Sequence, residues 1–185
     1  MGPTNKLLAD LDGERVVART VDAALASRAA NVVVVTGHQA ARVRAALVGR
    51  DVEFAHNRYY ARGLSSSLRR GLKALDAATS GALICLGDMP WVSTADLDAL
   101  IAAFVRVDRP ICVPVRGRRR GNPVLWPARH FAELRALQGD RGGRNLLRRY
   151  AREVVRVPMP GAGVVRDIDV PSDLLTSRSS PRQRA

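Results

Sequence analysis

Apolar and polar positions along this chain recur in two periods. Over Arg15 to Ala29 (RVVARTVDAALASRA), Val17, Val21, Ala24 and Leu25 fall at helical spacing with arginines and Asp22 mostly opposite, which predicts an amphipathic helix. The next block, Asn31 to Thr36, is short, continuous and β-branched, the pattern of a strand covered on both faces in a parallel sheet. The pairing then repeats as helix Gln39 to Val48, strand Val52 to His56, helix Ser65 to Ala77, strand Ala82 to Leu86, helix Thr94 to Val105 and strand Ile111 to Val115. Strands alternating with helices of roughly 10 to 15 residues predict βαβ units, hence an α/β fold with a mainly parallel, doubly wound sheet.

After Val115 the rhythm changes. A basic Gly-rich loop, Arg116 to Pro123 (RGRRRGNP), leads to a short strand Val124 to Trp126, a helix near Arg129 to Leu137 and a turn cluster Gly139 to Gly143. A helix Asn145 to Ala151, a strand Val154 to Val157, the segment Val164 to Val170 (VVRDIDV) and a short helix Pro171 to Leu175 follow. From Thr176 onward, TSRSSPRQRA has no apolar periodicity and reads as a basic disordered tail. One domain over residues 1–175 and a tail over 176–185 is the expected organisation.

The front of the chain is unusual for this class. Residues Met1 to Asp12 offer only the run KLLADL, so the first helix has no preceding strand to cross over from. In doubly wound folds the first strand lies near the sheet centre and the loop after it binds nucleotide phosphates.

Composition narrows the class further. Of 185 residues, 46% are apolar and only 4% aromatic, so one core filled by Ala, Val and Leu is expected. The longest aliphatic stretch, Val32 to Val35, is far short of the ~20 residues of a membrane span, and no basic segment followed by an apolar run opens the chain. Cys85 and Cys112 lie far apart inside apolar runs, each reading as a buried reduced thiol and pointing to a cytoplasmic location. His38, His56 and His130 have no metal-ligand spacing, so no zinc is expected. The net charge of +13 raises nucleic acid, anionic membrane surfaces and phosphorylated small molecules as partners. Arg116 to Arg120 has no interleaved aromatics for base stacking, which ranks nucleic acid below small-molecule phosphate.

Several residues carry candidate chemistry. The strand Ala82 to Leu86 ends in Gly87-Asp88-Met89-Pro90, and ligands of open α/β sheets bind outside the carboxyl ends of strands, which puts Asp88 where a substrate lies. A carboxylate there suits Mg²⁺; it also suits a turn capping the next helix. Asp167 and Asp169, two apart, share one face of an extended segment, where they either clamp a cation with Asp88 or form a solvated turn. Gly63 with Ser65, Ser66 and Ser67 marks a helix start that offers an anion site or an ordinary cap, and Thr36-Gly37-His38 is a similar turn. Lys6 is one of two lysines, with Lys73, and is either a phosphate contact or a solvated terminal side chain.

Taken in order, MGPTNKLL, VVVVTGHQA, NRYYARGLSSSL, LGDMP, GRRRGNPVLW, GDRGGRNLL and DIDVPSDL resemble the MobA-like nucleotidyltransferases, and most closely their molybdenum cofactor cytidylyltransferase branch. The resemblance runs from Met1 to about Leu175 and implies a Rossmann-like, three-layer α/β/α fold of the nucleotide-diphospho-sugar transferase type. It also implies a Mg²⁺-dependent transfer of a nucleoside monophosphate, CMP from CTP, onto a phosphorylated pterin acceptor such as molybdopterin cofactor, with pyrophosphate released and a molybdoenzyme as a further candidate partner. A non-catalytic pterin or nucleotide delivery module for such an enzyme is the alternative reading, and an RNA-binding basic protein the third. Carried over by position, Lys6 and Asp88 are catalytic, and Asp88 with Asp169 or Asp167 holds the metal. Lys6, Asn57, Ser65, Ser66, Ser67 and Gly87 border the nucleotide, and Gly121, Asn122 and Pro123 lie toward the acceptor. The family signature LAAGxSxRMGxxxK is represented here only by MGPTNK. An upstream extension of roughly 20 residues, one strand plus one Gly-rich loop, is therefore expected.

Overall fold

The computed structural model describes residues 5–140 and 143–168, and among them it holds nine strands and six α-helices. The N-terminal part contains β1 (Asp10–Leu11), β2 (Glu14–Arg15), α1 (Val16–Leu25), β3 (Val33–Thr36), α2 (Ala40–Ala45), β4 (Glu53–His56) and α3 (Leu64–Ala74). Then come β5 (Gly81–Ile84), α4 (Thr94–Arg106), β6 (Ile111–Arg116), β7 (Arg119–Arg120), β8 (Val124–Pro127), α5 (Phe131–Ala136), α6 (Arg144–Arg149) and β9 (Val154–Pro158). The expected alternation of strands and helices is therefore present, with helix ends drawn in. The first helix stops at Leu25 rather than Ala29 because Ser27 Oγ bonds the carbonyl of Ala24 and accepts from the Ala29 N–H, turning the chain. Gln39 sits at φ 53, outside helical space, so α2 begins one residue later than expected. The expected helix near Arg129 is split into a 3₁₀ turn, Ala128–His130, and α5.

Two features were absent from the sequence reading. Asp12 and Gly13 both take positive φ (56 and 86) and close an antiparallel β1–β2 hairpin ahead of α1. The basic segment after β6 is a reversal rather than an open loop: Gly117 turns at φ 57, β7 pairs back on β6, and β8 returns antiparallel between β5 and β6. The five-stranded sheet, in the order β5-β8-β6-β7 with β9 on β6, is consequently mixed, with β6–β9 parallel and β8 antiparallel to both its neighbours, while β3 and β4 form a separate parallel pair.

Both faces of the strands are covered. Ile111, Val113, Val124 and Trp126 point to the side of α3, α5 and α6, where Leu72, Phe131, Leu134 and Leu146 pack on them. The intervening Cys112 and Leu125 point to the side of α4, against Leu100, Ala103 and Phe104. This period-2 split, apolar on both faces, is the signature of a central sheet layer between helices. The start of α4 is fixed by a capping box, in which Ser93 Oγ accepts from the Asp96 N–H while Asp96 Oδ2 accepts from the Ser93 N–H. No described helix is long and apolar enough to cross a membrane. The expected helix Pro171 to Leu175 and the tail from Thr176 lie outside the described residues.

Candidate active site

The carboxyl end of β5 brings Lys6, Gly87 and Asp88 together. Asp88 Oδ2 lies 2.5 Å from Lys6 Nζ. Lys6 opens a 3₁₀ turn, Lys6–Leu8, capped by Asn5, whose side chain accepts the Leu7 N–H. Leu7 and Leu8 anchor that turn to Val17 and Val21 of α1. Gly87 lets the turn come close, since a Cβ there would stand 3.2 Å from Leu7 Cδ2. The Gly87 carbonyl accepts from Thr20 Oγ1 of α1 at 3.4 Å. Thr20 and Leu7 were not expected contributors; the helical face of α1 placed Val17 and Val21 inward without showing what Thr20 would meet.

The acidic segment near the C-terminal end reaches the same rim. The Ile168 N–H donates to the Asp88 carbonyl at 3.0 Å, and Ile168 is buried with Leu11 and Val16. Arg166 stacks 3.6 Å from the centre of the Trp91 ring. Asp167, exposed between these two anchors, is thereby held on the extended segment whose Ile168 N–H meets the Asp88 carbonyl. Asp169 lies outside the described residues. The Gly121-Asn122-Pro123 turn is tied to this segment: the Asn122 N–H donates to Val164 O at 2.8 Å, and a Cβ on Gly121 would collide with that same carbonyl. Pro123 and Thr20 line a crevice of about 10 Å³ with Cys85, Leu86 and Met89.

Cys85 departs from expectation. Protein on most sides pushes its thiol up to about 12, yet its surface is open to solvent. Cys112 is fully buried as expected, with its thiol pushed up to about 11 by burial.

The loop from β4 to α3 forms a second group. Asn57, 4% exposed, donates through Nδ2 to Ser66 Oγ (2.8 Å) and Ser67 Oγ (3.1 Å) and accepts the Tyr59 N–H on Oδ1. Gly63 takes φ 95, and a Cβ there would meet Asp140 Oδ1 at 2.5 Å. Asp140 Oδ1 also accepts the Leu64 N–H, and Gly139 O accepts the Ser65 N–H, so Gly139 and Asp140 close the start of α3. Ser65 Oγ is buried with no bonding partner among the described residues. Asn57 and Ser66 thus bond one another, and the loop's shape depends on them. Asp140 was missed by sequence reasoning, although its turn had been singled out.

A metal at the rim has a suitable but small donor set. Among the described residues no cluster of three or more His, Cys, Asp or Glu forms. Asp88 and Asp167, the residue before the Ile168 N–H that meets the Asp88 carbonyl, are the carboxylates that could hold such an ion, and Mg²⁺-type ions take only one or two carboxylates and complete their shell with water and phosphate oxygens.

The same architecture recurs in solved structures. The Rv0371c protein of Mycobacterium tuberculosis superposes with a TM-score of 0.81 at 25% identity, covering 96% of this chain and 90% of that one; it has also been solved in complex with manganese. A nucleotidyl transferase from Methanothermobacter thermautotrophicus gives 0.79 at 28% identity, over 95% and 84% of the two chains. The cytidylyltransferase for 2-C-methyl-D-erythritol 4-phosphate from Thermus thermophilus shares the fold at 18% identity and a TM-score of 0.68, over 92% and 91%. In sequence, 97 residues are 37% identical to the bifunctional protein GlmU of Cupriavidus necator, covering 52% of this chain and 21% of that protein. The chain thus spans about a fifth of the length of the curated relatives it matches. Fold and rim together define a Rossmann-like α/β protein of the nucleotidyltransferase type. Over residues 1–154 the chain matches the MobA-like NTP transferase domain, and it belongs to that family.

Proposed function

We propose that the rim at Lys6 and Asp88 binds a nucleoside triphosphate and that the chain transfers its nucleoside monophosphate, CMP from CTP, to a phosphorylated acceptor of the molybdopterin type. An acceptor phosphate oxygen attacks the α-phosphorus, a new P–O bond forms, and the bond to the β-phosphate oxygen breaks to release pyrophosphate. The observation that carries this reading is the Lys6–Asp88 pair, 2.5 Å apart, at the carboxyl end of β5. An ammonium beside a carboxylate suits a ligand that brings phosphate to the first and a divalent cation to the second.

The acceptor phosphate is already nucleophilic, so the chain's task is alignment and charge neutralisation. Lys6 holds the departing phosphates. Asp88, with Asp167 from the segment bonded to it, would hold Mg²⁺, which would supply charge neutralisation at the phosphates; manganese in the Rv0371c protein supports a divalent ion. Ser65 to Ser67 border the nucleotide, with Asn57 shaping that wall and Gly87 admitting the Lys6 turn. Gly121 to Pro123 face the acceptor side. Two unpaired cysteines fit a cytoplasmic location.

Pyrophosphate release tests the reading. Each NTP is supplied with Mg²⁺ and the pterin acceptor, to the chain and to Asp88→Asn and Lys6→Gln. Release with CTP, reduced by roughly 100-fold or more in both variants, is the expected result. Nucleotide binding without release in any combination would favour the delivery module, and release indifferent to Asp88→Asn would remove Asp88 from the chemistry.

A further inference from the structure

Four arginines converge on the α6 side of the sheet. Arg120 of β7 stands opposite Val115 and Arg156 of β9 opposite Val113, and Val113 faces α6 in the apolar cluster that holds Leu146 and Leu147. Residues opposed across strands project to one face, so Arg120 and Arg156 rise on that side too. α6 carries Arg144 and Arg148, four apart and hence neighbours on one side of the helix. Its start lies tight against β8, since a Cβ on Gly143 would stand 2.7 Å from Trp126 Cζ2. All four arginines are exposed. Burial first, and then Arg144, Arg148 and Arg156, hold the Arg120 guanidinium below its usual range, which puts Arg120 within the field of the other three.

No acid answers this charge. Among the described residues none of the four forms an ion pair, and the carboxylates of neighbouring elements are engaged with other groups. Asp140 accepts the Leu64 N–H, Glu133 takes the Tyr150 hydroxyl and Arg149, and Glu153 takes Arg129 and His130. A guanidinium stays charged at any ordinary pH, so the group cannot relieve its repulsion by losing a proton. An oxyanion seated among the four relieves it, through forked N–H donors that match phosphate oxygens.

The group is separate from the Lys6–Asp88 pair. β5 and β6 both run antiparallel to β8, so Val115 and Asp88 lie toward the same end of the sheet. Two strand spacings nevertheless part β5 from β6, about 10 Å in all. The Lys6 turn packs on α1, whose Ala23 and Ala24 share a cluster with Leu97 of α4, on the opposite side of the sheet from α6.

We infer that Arg120, Arg144, Arg148 and Arg156 form a second oxyanion site, which takes the phosphate group of a small molecule independently of the Lys6–Asp88 rim. A nucleic-acid strand fits less well, because the aromatic ring at the end of α6, Tyr150, is turned to His130 and Glu133 and offers no platform for a base. The site stands whether or not the rim carries out nucleotidyl transfer.

Calorimetric titration of the full chain at low salt, in a Lys6→Gln background and without divalent cation, tests it with inorganic phosphate, pyrophosphate and glycerol 3-phosphate. Binding is expected in that background, weakened by roughly 10-fold or more when Arg120→Gln and Arg148→Gln are added. Arg69→Gln with Arg106→Gln, which removes the same charge from α3 and α4, should leave it unchanged. An ester bound as tightly as inorganic phosphate identifies a phosphorylated metabolite as the ligand; pyrophosphate bound roughly 10-fold tighter than either identifies the free anion. Thermal midpoints report folding, and phosphate should raise that of the Lys6→Gln chain more than that of the arginine variant. Equal losses in the two double variants overturn the inference by reducing it to net charge. So does the absence of binding once Lys6 is replaced, which leaves the rim as the anion site. A single-stranded RNA bound where none of the three small anions binds also overturns it, giving the patch to nucleic acid.

Discussion

The Asn57 side-chain amide donates to Ser66 Oγ at 2.8 Å, closing the loop after β4 onto the first turn of α3. Ser66 Oγ in turn points its proton toward the carbonyls of Gly63 and Tyr59, so one amide and one hydroxyl set the path of some ten residues. Removing the amide in Asn57→Ala leaves buried hydroxyl and N–H groups short of partners, at a cost of about 1–3 kcal/mol. Urea denaturation of Asn57→Ala and Ser66→Ala checks this, and the double variant is expected to cost less than the sum because the two share one bond.

Gly121 is set by space rather than by turn geometry. Its N–H donates to Pro114 O, and any Cβ meets the carbonyl of Val164. Gly121→Ala must push the 164–168 segment away from the Asn122 N–H, with an expected loss of about 2 kcal/mol or more. The displacement also loosens Ile168 from Asp88, so weaker nucleotide binding is expected alongside the lower urea midpoint.

Acid should weaken the fold at two carboxylates. Arg50 donates to both oxygens of Asp22, at 2.6 and 2.7 Å, and holds its carboxyl below the ordinary 3.8. Arg129 at 2.7 Å, with His130 at 3.0 Å, does the same for Glu153 below the ordinary 4.5. A carboxyl depressed in the folded state contributes stability that is complete above its unfolded value and is lost as pH falls through its folded one. Urea midpoints are therefore expected to be level above about pH 4.5 as far as these groups go, and to fall below it. Glu153→Gln should cost about 1 kcal/mol or less near neutrality, because the pair is partly exposed, and should flatten the acid limb.

Arginines crowd one patch of the sheet. Burial first, then Arg144, Arg148 and Arg156, hold Arg120 below its ordinary range. Arg120 pairs with Val115 and Arg156 with Val113, placing both on one face of the sheet. Arg148→Gln is expected to raise the thermal midpoint at low salt, with the gain shrinking as salt screens the repulsion. A gain that does not depend on salt would point to helix propensity instead.

The legibility of this molecule divides by cause. β6 was readable to within one residue because Ile111 to Val115 is apolar on both faces wherever it packs. The start of α4 was equally plain, since Ser93 and Asp96 bond within one turn. The direction of β8 was not readable, because period 2 is the same pattern run forward or backward. The hairpin at Asp12-Gly13 carried a readable signal that the weak apolar content around it masked. Cys85 was misread for another reason: ALICL specifies an apolar strand, but its exposure depends on what lies across the β5 edge. That Lys6 and Asp88 lie together was foreshadowed by separate signals, Asp88 by its place after a strand and Lys6 by the motif resemblance. The bonding of Asn57 to Ser66, of Asp140 to Leu64 and of Ile168 to Asp88 joins residues whose distances in sequence carry no local pattern.

The return of β8 beside β6 bears on the order in which the molecule assembles. β6, β7 and β8 lie within Ile111–Pro127, so their pairing closes only short loops, whereas β5 must wait for a partner some forty residues downstream. The hairpin-like unit β6–β8 is thus placed to nucleate, with Trp126 as its largest fully buried side chain. Substitutions within it should slow refolding. Those in β3 and β4 should chiefly hasten unfolding.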